Sequence, residues 1–197
     1  MNIRVRVGIA AGVVAAGVAS WLFMGLFQWD GPAEAAPRDL CALVDSAEWA
    51  RIVPQPRAEH QTMPPHEVSN EATCDMTSTR GRATKGRYGY ADVDLERHGT
   101  TRYDSGWGKA RSSFNWSKEY AAGDGSAPHP VPGLGDEAFA ETHSEAAHSG
   151  SGVQAEAKVT VLLGRDVLTV HYVAEPSSPD RARRVAVAVA RTVLGEL

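Results

Sequence analysis

The chain is poor in cysteine and in aromatic residues: it has two cysteines in 197 residues, and Phe, Trp and Tyr together make up 7%. Two cysteines exclude a disulfide-dense scaffold, and 19 glycines and 11 prolines are too few for a collagen or a low-complexity chain. Neither charge dominates, because 24 acidic residues stand against 20 basic ones and the net charge is −4. A chain without a basic excess has no general attraction for nucleic acid, so we expect no nucleic-acid partner. Apolar residues make up 43%, which is enough for a globular core.

Long hydrophobic runs are also rare, and one of them is long enough to cross a membrane. It is the uncharged segment Val7–Trp29, which follows Arg4 and Arg6. As a helix it would be about 35 Å long, and a bilayer core is about 30 Å thick. We therefore predict a membrane-spanning N-terminal helix whose basic flank stays in the cytoplasm.

This interpretation divides the chain into an N-terminal membrane anchor, 1–29, a linker, 30–38, and an extracytoplasmic domain, 39–197. The competing interpretation is a cleaved signal peptide, because Ala33-Glu34-Ala35 is similar to a small-residue cleavage site. Cleavage near Ala35 would leave a secreted domain. Both interpretations place 39–197 outside the cytoplasm.

The two cysteines, Cys41 and Cys74, fit that compartment. An oxidising exterior lets a single pair form a disulfide bond, and two cysteines allow only one pairing. A metal site would need histidine or further cysteine nearby, and neither cysteine has one within five residues. The alternative is two unpaired buried thiols. We expect no metal ion and no cofactor.

Apolar spacing and turn residues predict the order of the elements. Alternating apolar and polar residues indicate strands, and apolar residues three and four apart indicate helices. The predicted helices are 39–53, in two pieces with Ser46 able to cap the second, 105–121, and a last helix that starts at Ser178-Pro179; the predicted strands are 72–76, 88–96, 137–142 and the hairpin 153–173; the predicted loops are 54–70, 122–135 and 143–152.

The hairpin 153–173 is the best-specified element, because apolar residues alternate almost completely along its first strand. A two-residue type II′ turn at Gly164-Arg165 would keep one apolar face intact across both strands. The register that follows pairs Leu163 with Asp166, Val161 with Leu168, Val159 with Val170 and Ala157 with Tyr172.

The last helix has Ser178 as its N-cap and Pro179 at its first position. Arg184 and Arg191 share its outer side, where they either face envelope phosphates or are simply solvated. Helices and antiparallel hairpins in this order predict an α+β fold, an antiparallel sheet with helices packed on one face. The buried stripe of the last helix is predicted at Ala182, Val185, Ala186, Val189, Val193 and Leu197.

Motifs that carry chemistry are absent or incomplete. Gly133 to Ala138 matches the dinucleotide pattern G-x-G-x-x-A, but it follows prolines and precedes a strand, whereas the cofactor motif needs a strand before it and a helix after it. We interpret it as a turn into a strand. No G-x-S-x-G nucleophile elbow occurs, and we assign no catalytic residue. A catalytic triad can be dispersed along a chain, so an envelope hydrolase remains the alternative function.

One candidate binding surface is the polar side of the predicted sheet. Polar groups with interleaved tyrosines are typical of a ligand or partner surface, although a plain solvated sheet has the same pattern. Asp92, Asp94 and Glu96 on this side are expected to form a solvated acidic ladder, because steps of about 6.8 Å do not close on one ion. The residues predicted to form the binding face are Tyr88, Tyr90, Asp92, Lys158 and His171.

The alternative surface is an aromatic patch, Trp116 and Tyr120, four residues apart on the helix 105–121. It lies nearly opposite the predicted buried face of that helix, to which Trp107 and Phe114 belong. The structural interpretation of the patch is packing under a neighbouring loop.

Several of these features occur together in one pattern: Asp39-Leu40-Cys41-Ala42-Leu43, the second cysteine Cys74, Gly133-Leu134-Gly135-Asp136-Glu137-Ala138-Phe139 before a strand, then a hairpin and a final helix rich in alanine and valine. On these residues, 38–197 resembles a family of small actinobacterial cell-envelope proteins of unknown function, many of them lipoproteins. The family's fold is similar to the extracellular sensor domains of mycobacterial receptor kinases. The resemblance implies a disulfide-braced α+β domain with a cleft on one sheet face, and it brings no catalytic residues.

The sequence therefore favours a membrane-anchored, non-enzymatic binding or sensing module of the cell envelope. Its expected partners are the membrane, through the N-terminal helix, and an envelope protein or a small ligand. The alternative function is an envelope hydrolase with a dispersed catalytic site.

Overall fold

The computed structural model describes residues 33, 35–63, 69–78, 87–123, 127–147 and 152–197. The predicted anchor, Val7–Trp29, lies outside these residues. Within them, no helix is both long enough and apolar enough to cross a membrane.

In the described part of the chain, seven antiparallel strands form one sheet in the order β1-β2-β3-β7-β6-β5-β4. Strands that follow one another in sequence pair with each other, except that β3 pairs with β7 at the centre of the sheet. The strands are Pro56–Thr62 (β1), Ser69–Ser78 (β2), Tyr88–His98 (β3), His129–Pro130 (β4), Glu137–Ala146 (β5), Val153–Leu163 (β6) and Asp166–Glu175 (β7).

Alternation along the central strands gives this sheet two different faces. On β3, the side chains of Ala91, Val93 and Leu95 are fully buried. Tyr90 and Asp92, which alternate with them, are half-buried and point to the other side. We call the side of Ala91, Val93 and Leu95 the apolar face and the side of Tyr90 and Asp92 the polar face. Strands β6 and β7 continue both faces in the same alternation.

The β6–β7 hairpin has the predicted register. Gly164 has a φ of 58°, and Arg165 has a negative φ, which is the combination that a type II′ turn requires. The turn therefore places the predicted pairs of apolar side chains on the apolar face, while Leu162, Val167 and Val173 lie on the polar face. Leu163 pairs with Asp166, Val161 with Leu168, Val159 with Val170 and Ala157 with Tyr172.

Three α-helices occur in the described ranges: Ser46–Ile52 (α1), Gly106–Gly123 (α2) and Pro179–Glu196 (α3). Helix α3 begins as predicted, because the Ser178 hydroxyl accepts a hydrogen bond from the backbone N–H of Arg181 at 3.4 Å. The cap of α1 differs from the prediction. Asp45 rather than Ser46 caps this helix, and its Oδ1 accepts from the N–H of Ala47 at 2.6 Å.

Helices α1 and α3 pack on the apolar face. Trp49 of α1 is buried in the same core as Val159 and Val161, and its indole N–H donates to the carbonyl of Cys41 at 3.0 Å. The predicted stripe of α3 is correct at four positions, whereas Val185 is only partly buried, and Leu197 follows the helix and is 38% exposed. The buried residues of α3 are Ala182, Ala186, Val189, Ala190 and Val193.

Helix α2 packs on the polar face, at one end of the sheet. Its residue Phe114 is buried against Phe139, Leu162 and Val167, and the rings of Phe114 and Phe139 meet edge to face at 5.3 Å. The predicted α+β fold with an antiparallel sheet is confirmed. The prediction that the helices pack on one face is correct for α1 and α3. Helix α2 packs on the polar face instead, because that face carries apolar side chains at this end of the sheet. Trp107 is 47% exposed rather than buried.

The predicted loop 54–70 contains strand β1, so that prediction is wrong. The residues of β1 are exposed, apart from a half-buried Pro56. Backbone pairing with β2 holds this edge strand, and a strand without a buried side shows no alternation in its sequence. The predicted loop 143–152 is wrong in the same way up to Ala146, because β5 continues there with exposed side chains.

Cys41 and Cys74 form the predicted disulfide bond, with their Cα atoms 5.1 Å apart. Cys41 belongs to a short 3-10 helix, Cys41–Leu43, and Cys74 lies on the apolar side of β2. Both sulfur-bearing side chains are buried. The bond therefore ties the first described turn of the chain to the sheet.

Candidate binding site on the polar face

The five residues predicted to form a binding face lie together on the polar face. Tyr88, Tyr90 and Asp92 come from β3, His171 from β7 and Lys158 from β6. Because β7 lies between β3 and β6, His171 pairs with Asp92 on one side and with Lys158 on the other. The sheet order thus brings together side chains from strands that are far apart in sequence.

A continuous row of titratable side chains crosses five strands at this level of the sheet. Neighbouring strands are about 4.8 Å apart, so the row is about 19 Å long. It carries three carboxyl groups, one imidazole and one ammonium group, and its balance is therefore acidic. In order of the strands β2, β3, β7, β6 and β5, its members are Asp75, Asp92, His171, Lys158 and Glu141; we call them the cross-strand row.

Tyr90 is held in place beside this row. Its hydroxyl donates a hydrogen bond to Oδ1 of Asp75 at 2.8 Å, and its ring meets the ring of His171 edge to face at 5.9 Å. Burial raises the pKa of the Tyr90 hydroxyl above its ordinary value, and the hydrogen bond to Asp75 raises it further. The hydroxyl is therefore a neutral donor at physiological pH.

His171 is oriented by a carboxylate on the neighbouring strand. Its Nε2 lies 2.7 Å from Oε1 of Glu156. The hydrogen bond with His171 lowers the pKa of Glu156, against a smaller opposing effect of burial. Glu156 is thus a carboxylate that fixes the imidazole, while the His171 side chain keeps 29% of its surface exposed.

Lys158 supplies the positive charge of the row. Its Nζ lies 3.8 Å from Oε1 of Glu141, and its side chain is 39% exposed. A pair this long and this exposed contributes little to stability. The ammonium group is therefore free to turn towards a ligand.

Two aspartates of β3 are less exposed to solvent than the sequence predicts for members of the acidic ladder. Burial raises the pKa of Asp92, the charge of Asp75 raises it further, and His171 lowers it. Burial also raises the pKa of Asp94 to about 6, with further increases from Asp92, Glu71 and Glu96. Oδ1 of Asp94 is buried and has no hydrogen-bond partner in the described residues. The prediction of a fully solvated ladder is therefore wrong for Asp94.

Helix α2 forms one border of the site. Ser113 of α2 donates a hydrogen bond to Oε2 of Glu96 at 3.1 Å, and Nζ of Lys118 lies 2.8 Å from Oε1 of Glu137. These contacts hold the helix over one end of the polar face. The cross-strand row lies beyond that end, where its histidine and lysine remain partly exposed.

The polar face offers both charged groups and hydrogen-bonding groups. The carboxylates suit a partner with positive charge and hydrogen-bond donors, the ammonium group suits an acceptor, and the phenol hydroxyls can donate or accept. Among the described residues, no serine or threonine hydroxyl hydrogen-bonds to a histidine, and no three His, Cys, Asp or Glu side chains are placed to share a metal ion.

Sequence reasoning misses two members of the cross-strand row. Asp75 alternates with the buried residues Cys74 and Met76, so its side of β2 could have been read from the sequence. The partner of Asp75 on β3 could not be predicted from the sequence, because only the register of β2 against β3 places Asp75 beside Asp92. Glu141 becomes a neighbour of Lys158 for the same reason, through the pairing of β5 with β6.

The alternative patch is present but lies apart from the row. Trp116 and Tyr120 stack on the outer side of α2, with ring centroids 5.6 Å apart and an angle of 24° between the rings. They are 66% and 58% exposed, so no loop of the described chain covers them. Phe114, which faces the sheet, is on nearly the opposite side of the same helix.

No protein-family model matches this chain, and no curated protein matches it significantly. Among solved structures, the chain is similar to the extracellular domain of PknH from Mycobacterium tuberculosis. The TM-score is 0.41 and the sequence identity 9%, over 82% of this chain and 98% of that domain. This neighbour belongs to a mycobacterial receptor kinase, whereas membership of the envelope-protein family named above stays a prediction.

Proposed function

We propose that this chain is a membrane-anchored, extracytoplasmic binding or sensing module without catalytic activity, and that its polar face takes the ligand. The observation that carries the proposal is the cross-strand row, Asp75 to Glu141, which α2 borders but does not cover. Its acidic balance favours an envelope protein or a small molecule with positively charged groups, and it opposes nucleic acid, whose phosphates it would repel.

The disulfide bond supports the extracytoplasmic location. Reducing conditions in the cytosol keep thiols free, whereas exported proteins retain a bond such as Cys41–Cys74.

The anchor at 1–29 is tested by the mass of the protein extracted from membranes. A mass that includes the N-terminal segment supports the anchor, and a mature N-terminus at Ala36 would show cleavage and a secreted domain.

The binding role of the polar face is tested by retention of fractionated envelope components on the immobilised full chain. The variants Tyr88→Ala and Tyr90→Ala should abolish retention and leave the melting temperature nearly unchanged. The matched control is the double variant Trp116→Ala/Tyr120→Ala, which removes aromatic surface from α2 and should retain the same components.

Two outcomes would contradict this assignment. If the control variant loses retention and the polar-face variants keep it, the binding surface is the aromatic patch. If the polar-face variants unfold, the face is structural.

The alternative function, an envelope hydrolase, is tested separately by labelling the full chain with a fluorophosphonate. Covalent labelling of a serine would overturn the non-enzymatic proposal.

A further inference from the structure

A second surface lies on the other side of the sheet, along the outer side of α3. There a groove of about 430 Å³ separates this helix from the segment 130–132. That volume is within the range of small-molecule sites, about 300–1,000 Å³. Because α3 packs on the apolar face, the groove and the cross-strand row are on opposite sides of the sheet. Besides the segment 130–132, the residues that line it are Arg183, Arg184, Val187, Ala188 and Arg191 of α3.

The wall opposite α3 is held by the sheet. The backbone N–H of Val131 donates to the carbonyl of Ala138 at 2.9 Å, next to the pairing of β4 with β5. The side chain of Val131 packs against the main core, as does that of Val187 from the helix. Both walls of the groove are therefore anchored in the core of the domain.

Positive charge lines this groove, although the whole chain has a net charge of −4. Arg184 and Arg191 are exposed on the same side of α3, about 10 Å apart along its axis. Neither forms an ion pair with any residue that the structure describes, and Arg183 has only Asp180 within reach, at 3.7 Å. The guanidinium groups are thus available to an anion from outside.

The floor between the arginines is apolar. Val187 and Ala188 lie one helical turn from each arginine, and prolines face them from the other wall. A free inorganic anion would leave this apolar surface unused. An amphiphile would use both parts, because guanidinium groups bind phosphate oxygens bidentately while apolar side chains contact a glycerol backbone and the first methylenes.

We infer that this groove binds the phosphate headgroup of an anionic phospholipid at a membrane surface. The inference rests on the export proposed above, since export places the domain on the side of the outer leaflet. Docking through α3 leaves the acidic polar face pointing away from the membrane, because the two surfaces are on opposite sides of the sheet. The groove then orients the module while the cross-strand row remains accessible.

The test uses the full chain held in phosphatidylcholine nanodiscs, so that the apolar segment Val7–Trp29 is already occupied. Added vesicles of phosphatidylglycerol or of phosphatidylcholine are separated by flotation, and the amount of nanodisc that floats with them gives an apparent affinity. We expect binding to phosphatidylglycerol vesicles only. The double variant Arg184→Gln/Arg191→Gln should bind about 25-fold more weakly, from about fivefold for each arginine.

The control variant Arg57→Gln/Arg102→Gln makes the same change in net charge at two exposed arginines outside the groove and should bind like the wild type. Equal weakening by both pairs would overturn the proposal, because net charge alone would then explain binding. So would equal flotation with both lipids. Loss of flotation on adding inorganic phosphate at the same phosphorus concentration would also overturn it, in favour of a free anion. The assay does not depend on cellular location or on the polar face, so its failure is separate from failure of the proposed function.

Discussion

Asp94 shows how the position of one residue in the sheet changes its chemistry. It lies at the centre of β3 on the polar face, beside the end of the sheet that α2 covers. Its carboxyl group has lost part of its hydration, and Asp92, Glu71 and Glu96 contribute negative charge around it. Both effects disfavour the ionised form, and together they raise the pKa of Asp94 to about 6.

The sign of the effect on stability follows from proton binding. Between about pH 4 and pH 6 the folded state binds more protons at Asp94 than the unfolded state, so the free energy of unfolding falls as the pH rises. The variant Asp94→Asn should therefore stabilise the protein by about 1–3 kcal/mol near pH 7.5 and have little effect near pH 4. Urea unfolding at the two pH values measures the difference.

The control for this prediction is Glu119→Gln, at an exposed position on α2. It should change the free energy of unfolding by less than about 0.5 kcal/mol at either pH. Equal destabilisation by Asp94→Asn at both pH values would show that its carboxyl group has a role in packing and no unfavourable charge.

At the scale of elements, the segment Gly133–Ala138 is a turn into a strand, as the sequence predicts. Gly133 and Gly135 both have positive φ, 72° and 61°, and β5 starts two residues later at Glu137. Oδ2 of Asp136 accepts a hydrogen bond from the N–H of Gly164 at 2.7 Å. The segment therefore joins the start of β5 to the β6–β7 turn.

The two glycines give a matched pair of variants for testing this turn. A Cβ on Gly135 would lie 2.5 Å from the carbonyl oxygen of Leu162 and from Cγ1 of Val161, whereas a Cβ on Gly133 has nothing within 4 Å. Gly133→Ala should cost about 1 kcal/mol, from the positive φ alone. Gly135→Ala should cost about 2–5 kcal/mol, because overpacking against β6 adds to the same penalty. Urea unfolding compares them, and equal losses would mean that β6 moves aside without cost.

At the scale of the whole molecule, one covalent bond joins the N-terminal part of the domain to the sheet. The cysteines are 33 residues apart, and the loop that they close contains α1 and the edge strand β1. The core side chain Trp49 lies inside this loop and donates to the carbonyl of Cys41. The disulfide bond therefore restricts a region whose strand, β1, has almost no buried side chain.

The double variant Cys41→Ala/Cys74→Ala should lower the free energy of unfolding by up to about 3.8 kcal/mol, because the unfolded chain regains the entropy of an open loop. Hydrogen exchange should increase most in β1, an edge strand whose single strand neighbour in the described sheet is β2. Reduction of the wild-type protein should have the same effect. Unchanged stability and exchange would show that side-chain packing alone holds this region.

The candidate site was only half determined by local sequence. Alternation places Tyr88, Tyr90 and Asp92 on one side of β3 and Lys158 on the corresponding side of β6. The neighbours that define their chemistry come from strands distant in sequence, Asp75 from β2 and Glu141 from β5. Local patterns therefore predict which side a residue occupies, but not which residue lies beside it.

The sequence by itself determined the elements that bury a regular apolar side: β3, the β6–β7 hairpin and α3, together with the single possible pairing of its cysteines. Burial of alternate side chains leaves a periodic trace, and a tight turn restricts the register. The tertiary structure alone decided the rest: β1, the placement of α2 on the polar face, and the meeting of β3 with β7 that completes the cross-strand row. These depend on backbone pairing and on contacts between distant segments, which require no local periodicity in the chain.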